Sequence, residues 1–367
     1  MQILMLCPQV SGSSFAVSYL YGKALSKNHE VKFLGPLFGM KPFVEDAKLN
    51  IEFVEPPVKM PIQAGMAGLY FSNVSKLLKT QNDYDAIHTF KLLPNTAPVA
   101  AKIKEKTGKP FVLTIDDYDV ASPSNPIKKL VLNWSANAYK KANVITTAST
   151  GLQKSYGGEV VYYSANEDIF DPKKHDGEEV RRKYGLENKI VVSHVGTLRP
   201  HKGVDDLINA VKKLNDPEVK LLLFERNSDK KYLEHCKKLS GPETIWIKDN
   251  TTWDVPEFLA ATDVYVIPTK DTPYARAETP LKIFEAMAMG KAVVASDIGD
   301  MQIFLDEGNC GVLVKPDETD LLQKALGNLI SNESLRHELG ERARQHYLKK
   351  FGFSVLEKQL NGIYARL

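Results

Sequence analysis

The strongest constraint on this chain is a rhythm: short apolar runs alternate with longer amphipathic stretches over most of its length. Strands are predicted at Ile3–Cys7, Glu30–Leu34, Ile51–Val54, Ala86–Thr89, Phe111–Ile115, Val144–Thr147 and Val160–Tyr163. Helical patterns fall between them at Ala16–Ser26, Thr96–Thr107 and Ile127–Lys141. Such alternation predicts α/β architecture, a parallel sheet covered by helices on both faces. The pattern breaks at the polar stretch NEDIFDPKK, residues 166 to 174, and then restarts. The second run has strands at Ile190–Val195, Val219–Phe224, Thr244–Lys248, Val264–Pro268, Ala292–Ser296 and Leu313–Val314. Helices are predicted at Val204–Leu214, Val255–Thr262, Asp317–Ser331 and Ser334–Tyr347. A chain of 367 residues is too long for one core, so two α/β domains are expected, 1–165 and 166–349. Ligands in such folds bind beyond the carboxyl ends of the strands, and a cleft between the domains is the expected site.

Composition removes several classes. The net charge of +3 gives no general argument for nucleic acid as a partner. Cys7, Cys236 and Cys310 are far apart, which fits reduced thiols in a cytoplasmic protein better than a disulfide frame or a zinc site. No run of 18 apolar residues is present, and MQILMLCPQV lacks the basic flank of a signal peptide. No G-x-G-x-x-G follows the first strand and no P-loop occurs, which argues against a nicotinamide dehydrogenase.

The segment ETPLKIFEAMAMGKAVVAS, residues 278 to 296, carries the most chemistry. Thr279 suits an N-cap and Pro280 the first helical position. The amides of Leu281 and Lys282 would then lack intrahelical partners, making an anion site at the positive end of the helix, with the Lys282 charge added. Glu285 lies about one turn further in, within reach of a polar group held beside that anion. Glu278 stands just before the cap. Anion donors next to two carboxylates suit a sugar attached to a diphosphate. The alternative is a capped core helix in which Lys282 and Glu285 pair at i,i+3. Gly290 is expected to close the helix.

This segment resembles the signature of retaining nucleotide-sugar glycosyltransferases of the GT-B type, family four. That signature has two glutamates and then Ala-Met-Ala-x-Gly-x-Pro-Val-Val-Ala-Ser; this chain has EAMAMGKAVVAS preceded by TPLKIFE. Glu278 lies seven positions before Glu285, where the usual spacing is eight. HVGTLRPHKGVDDLINAV, residues 194 to 211, resembles the family's strand, phosphate loop and helix: Gly196, Pro200, Lys202 and Gly203 match, while Thr197 holds the usual arginine position and Arg199 lies two residues later. QVSGSSFAVSYLYGKAL, residues 9 to 25, resembles the first glycine-rich turn, with Gly12 in it. Where many members carry a histidine near the transferred sugar, FVLTIDDYD places Asp116, followed by Asp117 and Asp119. His88 matches a histidine frequent at the end of the preceding strand and is expected to be structural.

The resemblance implies a GT-B fold, two Rossmann-like domains facing a cleft. Residues 1–165 would form the acceptor domain, 166–349 the donor domain, and a C-terminal helix, 350–367, would cross back to the first. It implies sugar transfer from a nucleotide-diphosphate donor with retention, the enzyme supplying no nucleophile. Gly12, Gly196, Arg199, Lys202, Thr279, Pro280, Leu281, Lys282 and Glu285 would bind the donor, with Glu285 on the ribose. Glu278 and Asp116 would serve the sugar. No cofactor or metal is expected, although clustered acids such as Asp116 and Asp117 are also metal-binding chemistry or simply a solvated loop. The product would belong to cell-surface polysaccharide or glycolipid synthesis, with a glycan or lipid-linked acceptor. Residues 124–142 join lysines to Leu130, Leu132, Trp134 and Tyr139, a composition that suits the inner face of an anionic membrane or an ordinary lysine-rich domain helix. The apolar, loop-like stretch 58–74 suits an acceptor rim or internal packing. Competing readings are a GT-B epimerase or phosphorylase, and a non-catalytic sugar-nucleotide binder or scaffold.

Overall fold

A computed structural model describes residues 1–11, 15–41, 50–55, 62–118, 126–225, 228–248 and 254–367. The chain forms two compact units. Unit 1 holds Met1–Tyr163, Ala277–Thr279 and Ser354–Leu367; unit 2 holds Ser164–Arg276 and Pro280–Phe353.

Unit 1 is built on seven parallel strands: β1 Gln2–Leu6, β2 Glu30–Gly35, β3 Asn50–Phe53, β4 Ala86–Phe90, β5 Phe111–Ile115, β6 Val144–Thr147 and β7 Glu159–Val160. Their order is β3-β2-β1-β4-β5-β6-β7. Ile3 pairs with Val31 on one side and Ala86 on the other, so the order reverses at β1 and β4. Every residue of β4 and β5 is buried, as expected of strands covered on both faces. Unit 2 repeats the plan with β8 Ile190–His194, β9 Val219–Phe224, β10 Thr244–Ile247, β11 Val264–Ile267, β12 Ala292–Ser296 and β13 Val312–Val314, ordered β10-β9-β8-β11-β12-β13. Its reversal lies between β8 and β11. At such switch points the loops leaving the strand ends diverge and leave room for a ligand.

Helix Val204–Leu214 shows how pattern becomes packing. Val204, Leu207, Ile208 and Val211 recur at helical spacing and are all buried. They join Leu322, Leu326 and Leu329 of helix Thr319–Ile330 in the unit 2 core. Fully burying each such side chain contributes about 1.5–3 kcal/mol.

Several boundaries differ from the sequence expectation. The stretch 58–74 is not loop-like where it is described: a helix runs Ile62–Lys79, with Leu69, Asn73 and Leu77 buried at a four-residue spacing. Gly65 and Gly68 had masked that period. The expected helix 127–141 is an α-helix over Pro126–Ala136 followed by a 3-10 turn, Asn137–Lys141. The strand expected at Val160–Tyr163 is only the pair Glu159–Val160, matched to Thr146 and Thr147 of β6, and Tyr163 beyond it donates its hydroxyl to the Asp116 carbonyl. The signature helix starts at Leu281, one residue later than expected. Pro280 sits before it in extended conformation, and the Thr279 hydroxyl does not cap it. That hydroxyl donates instead to the Ala148 carbonyl at 2.6 Å. Gly290 closes the helix at φ 65°, as the pattern required.

Candidate active site

Each unit carries one part of the predicted site on loops that leave the carboxyl ends of its strands.

In unit 1, the short Ala277–Thr279 stretch is pinned to the loop after β6. Ser149 accepts from the Leu152 amide at 3.0 Å, capping helix Thr150–Tyr156, and donates to the Ala277 carbonyl at 2.7 Å. With the Thr279 bond to Ala148, this fixes both neighbours of Glu278. The Glu278 carboxylate acts electrostatically on Tyr163, whose hydroxyl donates to the Asp116 carbonyl at 3.0 Å. The structure therefore brings Glu278 and Asp116, distant in sequence, into one neighbourhood.

Asp116 directly follows β5, and its side chain is only 8% exposed, so it is not part of a solvated loop. Lys91, directly after β4, places its ammonium 3.5 Å from Asp116 Oδ1 and 3.2 Å from Asp117 Oδ2. Burial raises the Asp116 carboxyl above the ordinary aspartate range; Lys91 draws it back and Asp117 pushes it up. Asp119 and Gly12 lie outside the described residues. Among the described residues no group of three or more His, Cys, Asp or Glu is arranged to hold a metal. His88 is fully buried between the Tyr364 hydroxyl and the Thr114 hydroxyl, at 3.0 and 2.7 Å, and stacks on Phe90. Burial draws its imidazole down to about 3, so it is a neutral core residue.

In unit 2, the loop after β8 turns over a 3-10 segment, Pro200–Lys202. Arg199 is exposed and Lys202 half-buried. The loop is stitched to the loop after β11, where the Lys270 amide donates to the His201 carbonyl at 2.9 Å. Lys270 also pairs with Asp205 at 2.8 Å and Asp206 at 3.3 Å. A Cβ on Gly196 would lie 3.2 Å from His194 Nε2, so this backbone passes close over a buried imidazole. His194 Nδ1 donates to the Val266 carbonyl at 2.9 Å, and its Nε2 meets no partner among the described residues. Burial draws that imidazole down to about 4.

Glu285 is 4% exposed within an otherwise apolar helix face. It does have a partner in the fold. Lys282 Nζ donates to Glu285 Oε2 at 2.7 Å. Burial still raises the Glu285 carboxyl, against the pull of Lys282. The carboxylate also acts on Tyr265, whose hydroxyl donates to the Val195 carbonyl at 3.2 Å. Glu285 is thereby linked to the β8 loop. Helix Leu281–Ala288 has no side-chain N-cap, so its first amides remain open to an anion. Sequence reasoning missed Lys91, His194 and Tyr265. Lys91 and His194 are marked only by their places at the ends of β4 and β8, and Tyr265 lies within β11.

Two Rossmann-like parallel sheets, of seven and six strands, are the architecture of the GT-B class. Residues 176–346 match the glycosyl transferases group 1 and residues 11–158 match Glycosyltransferase Family 4, and the chain belongs to this family. It is 22% identical over 382 aligned positions to N-acetyl-alpha-D-glucosaminyl L-malate synthase of Bacillus anthracis, covering 97% of this chain and 94% of that one. Among solved structures, sucrose-phosphate synthase from Thermosynechococcus elongatus superposes with a TM-score of 0.80 at 18% identity, over 100% of this chain and 98% of the other. HepE of Anabaena, solved with UDP-glucose, gives 0.79 at 20% identity over the whole of both chains. The chain is thus a glycosyltransferase acting on sugar-nucleotide donors. Among the described residues no helix is long and apolar enough to cross a membrane.

Proposed function

We propose that this protein transfers a hexose-type sugar from a nucleotide diphosphate with retention at the anomeric carbon, without a metal or other cofactor. The observation that carries the reading is Glu285, a carboxylate buried in an apolar helix one turn beyond open N-terminal amides. In this reading Glu285 accepts from the ribose hydroxyls. The amides of Leu281 and Lys282, with Lys202 and Arg199, take the diphosphate, whose charge grows as it leaves. Pro280 and Thr279 set the approach to that helix, and Gly196 lets the backbone close on the phosphates. Asp116 and Glu278 serve the hydroxyls of the transferred sugar.

Thermal unfolding with UDP, GDP and ADP and their glucose and N-acetylglucosamine conjugates tests this. HepE makes UDP-glucose the first probe. A ligand at 100 times its Kd adds about 2.7 kcal/mol. One nucleotide series is expected to stabilise the wild type and to lose its effect in Glu285→Ala. Stabilisation without turnover would favour a non-catalytic binder; no stabilisation by any of them would sink the reading.

The acceptor is proposed to be lipid-linked, in cell-surface glycan or glycolipid synthesis, and met at the inner membrane face. Phe71, Leu130 and Trp134 are 76%, 72% and 49% exposed. Tyr70 packs edge-on against Trp134 at 5.3 Å, joining the two helices that carry them. Neither helix, Ile62–Lys79 or Pro126–Ala136, contains an acidic residue, and Lys129 is exposed beside Leu130. An apolar patch beside an exposed lysine suits an anionic lipid surface. The wild type is expected to co-sediment with phosphatidylglycerol vesicles but not with neutral phosphatidylcholine, and Phe71→Ser with Leu130→Ser to abolish it. Equal sedimentation of variant and wild type would refute the assignment.

A further inference from the structure

The lysine behind Asp116 has no counterpart in the sequence pattern that pointed to the site. Lys91 holds a left-handed backbone, φ 64°, unusual for a non-glycine residue. Two bonds fix it there. Its amide donates to the Thr114 carbonyl at 3.0 Å, and the Thr96 hydroxyl donates to its carbonyl at 3.0 Å. The strained turn aims the ammonium back over the ends of β4 and β5, at Asp116 and Asp117. Asp116 Oδ1, though buried, meets no closely placed hydrogen-bond donor among the described residues; the Lys91 ammonium stands 3.5 Å from it. Among the described residues that oxygen keeps accepting capacity that a bound hydroxyl could use.

We propose that Lys91 is a positioning residue that holds Asp116 as a fixed, charged acceptor for a hydroxyl of the transferred sugar. The proposal rests on the transferase reading above, in which Asp116 serves that sugar. Besides Lys91, the titratable groups facing Asp116 among the described residues are Asp117, Tyr163 beyond β7, and Tyr21 of helix Ala16–Leu25, with Glu278 acting on Tyr163. Both tyrosine hydroxyls are held by burial in their neutral form and donate to backbone carbonyls, Tyr21 to Val161 at 3.0 Å and Tyr163 to Asp116 at 3.0 Å. Among the described residues Lys91 is thus the cation that acts on Asp116. An ionised Asp116 without it would stand beside Asp117 in a buried setting, and would take up a proton.

The test is the titration of the Asp116 carboxyl, followed by carbon NMR on aspartate-labelled protein and assigned with Asp116→Asn. An opposite charge at this range moves a carboxylate by about one to three pH units. In Lys91→Met the Asp116 carboxyl is expected to titrate at least about one unit higher, with Lys91→Arg returning most of the shift. Activity requires the ionised form, so it is present above that pKa and lost below it. The acid limb of kcat for UDP-glucose, or for whichever conjugate stabilises the wild type, is expected to rise with the carboxyl. Stabilisation by the nucleotide alone is expected to stay unchanged. Asp117→Asn removes the like charge and is expected to move the carboxyl down, which keeps the test decisive should Lys91→Met not fold. An Asp116 carboxyl indifferent to both changes would overturn the proposal. So would a carboxyl that moves while the rate profile stays still, or a Lys91→Arg profile that stays with Lys91→Met. Should no nucleotide bind the wild type, the transferase reading falls on its own evidence, and the carboxyl titration still decides whether Lys91 holds Asp116 charged.

Discussion

Replacing Lys282 with methionine is expected to destabilise the protein by about 2–3 kcal/mol at pH 8 and by clearly less at pH 5. Removing one member of a fully buried ion pair costs about 3–5 kcal/mol, because the remaining charge is left uncompensated. The Lys282 side chain is 30% exposed and the Glu285 side chain 6%, so water reaches the lysine end and the effect is smaller. The sign of the pH dependence follows from Glu285. Burial raises its carboxyl above the ordinary glutamate range, so the folded state holds a proton more tightly than the unfolded chain does. Stability is therefore full below the unfolded pKa and declines as pH rises through the folded one. Without Lys282 to oppose it, the folded pKa rises further and the decline deepens. Urea denaturation of wild type and Lys282→Met at both pH values measures it. Adding Glu285→Gln to the variant removes the buried charge and should flatten its pH dependence. An equal loss at both pH values would mean that Lys282 contributes packing and not charge.

The same pair shows how far the sequence could be read. Both interpretations of Glu285 were visible in TPLKIFEAMAMG: an i,i+3 partner or a ligand. Spacing alone could not choose, because a lysine three residues away reaches either a carboxylate or a phosphate. The structure shows the pair formed, 2.7 Å apart. The parallel sheets were legible because buried strands leave continuous apolar runs, as in VYVI of β11 and ILML of β1. Edges were not. Asn50–Phe53 and Glu159–Val160 are short and partly exposed, so apolarity does not mark where they stop. The cap of helix Leu281–Ala288 was misplaced by one residue because Thr279 is claimed by Ala148, a contact spanning 131 positions. Lys91 was illegible for a related reason. Its role comes from a left-handed turn and a strand order that bring it beside Asp116, and neither is written in local composition.

Gly203→Ala is expected to be the more damaging of two glycine substitutions that look alike on backbone angle. Gly203 and Gly290 both have left-handed backbones, at φ 64° and 65°. For alanine that conformation costs about 1–2 kcal/mol. At Gly290 little else opposes a methyl group, since the nearest atom, the Gly340 carbonyl oxygen, would lie 3.8 Å away. At Gly203 the same methyl would stand 1.9 Å from the Pro268 carbonyl oxygen. Backbone cannot rotate aside as a side chain can, so the loops after β8 and β11 would have to part. Overpacking of that kind adds about 1–3 kcal/mol. Gly290→Ala should thus lose about 1–2 kcal/mol, and Gly203→Ala about 2–5 kcal/mol, in urea denaturation. The parting would also strain the Lys270 to His201 bond and displace Lys202, so Gly203→Ala should weaken nucleotide stabilisation while Gly290→Ala leaves it intact. Equal losses in the two variants would show that the loops after β8 and β11 are not held together as described. A Gly203→Ala protein that is less stable yet binds nucleotide as the wild type does would release Lys202 from the donor site.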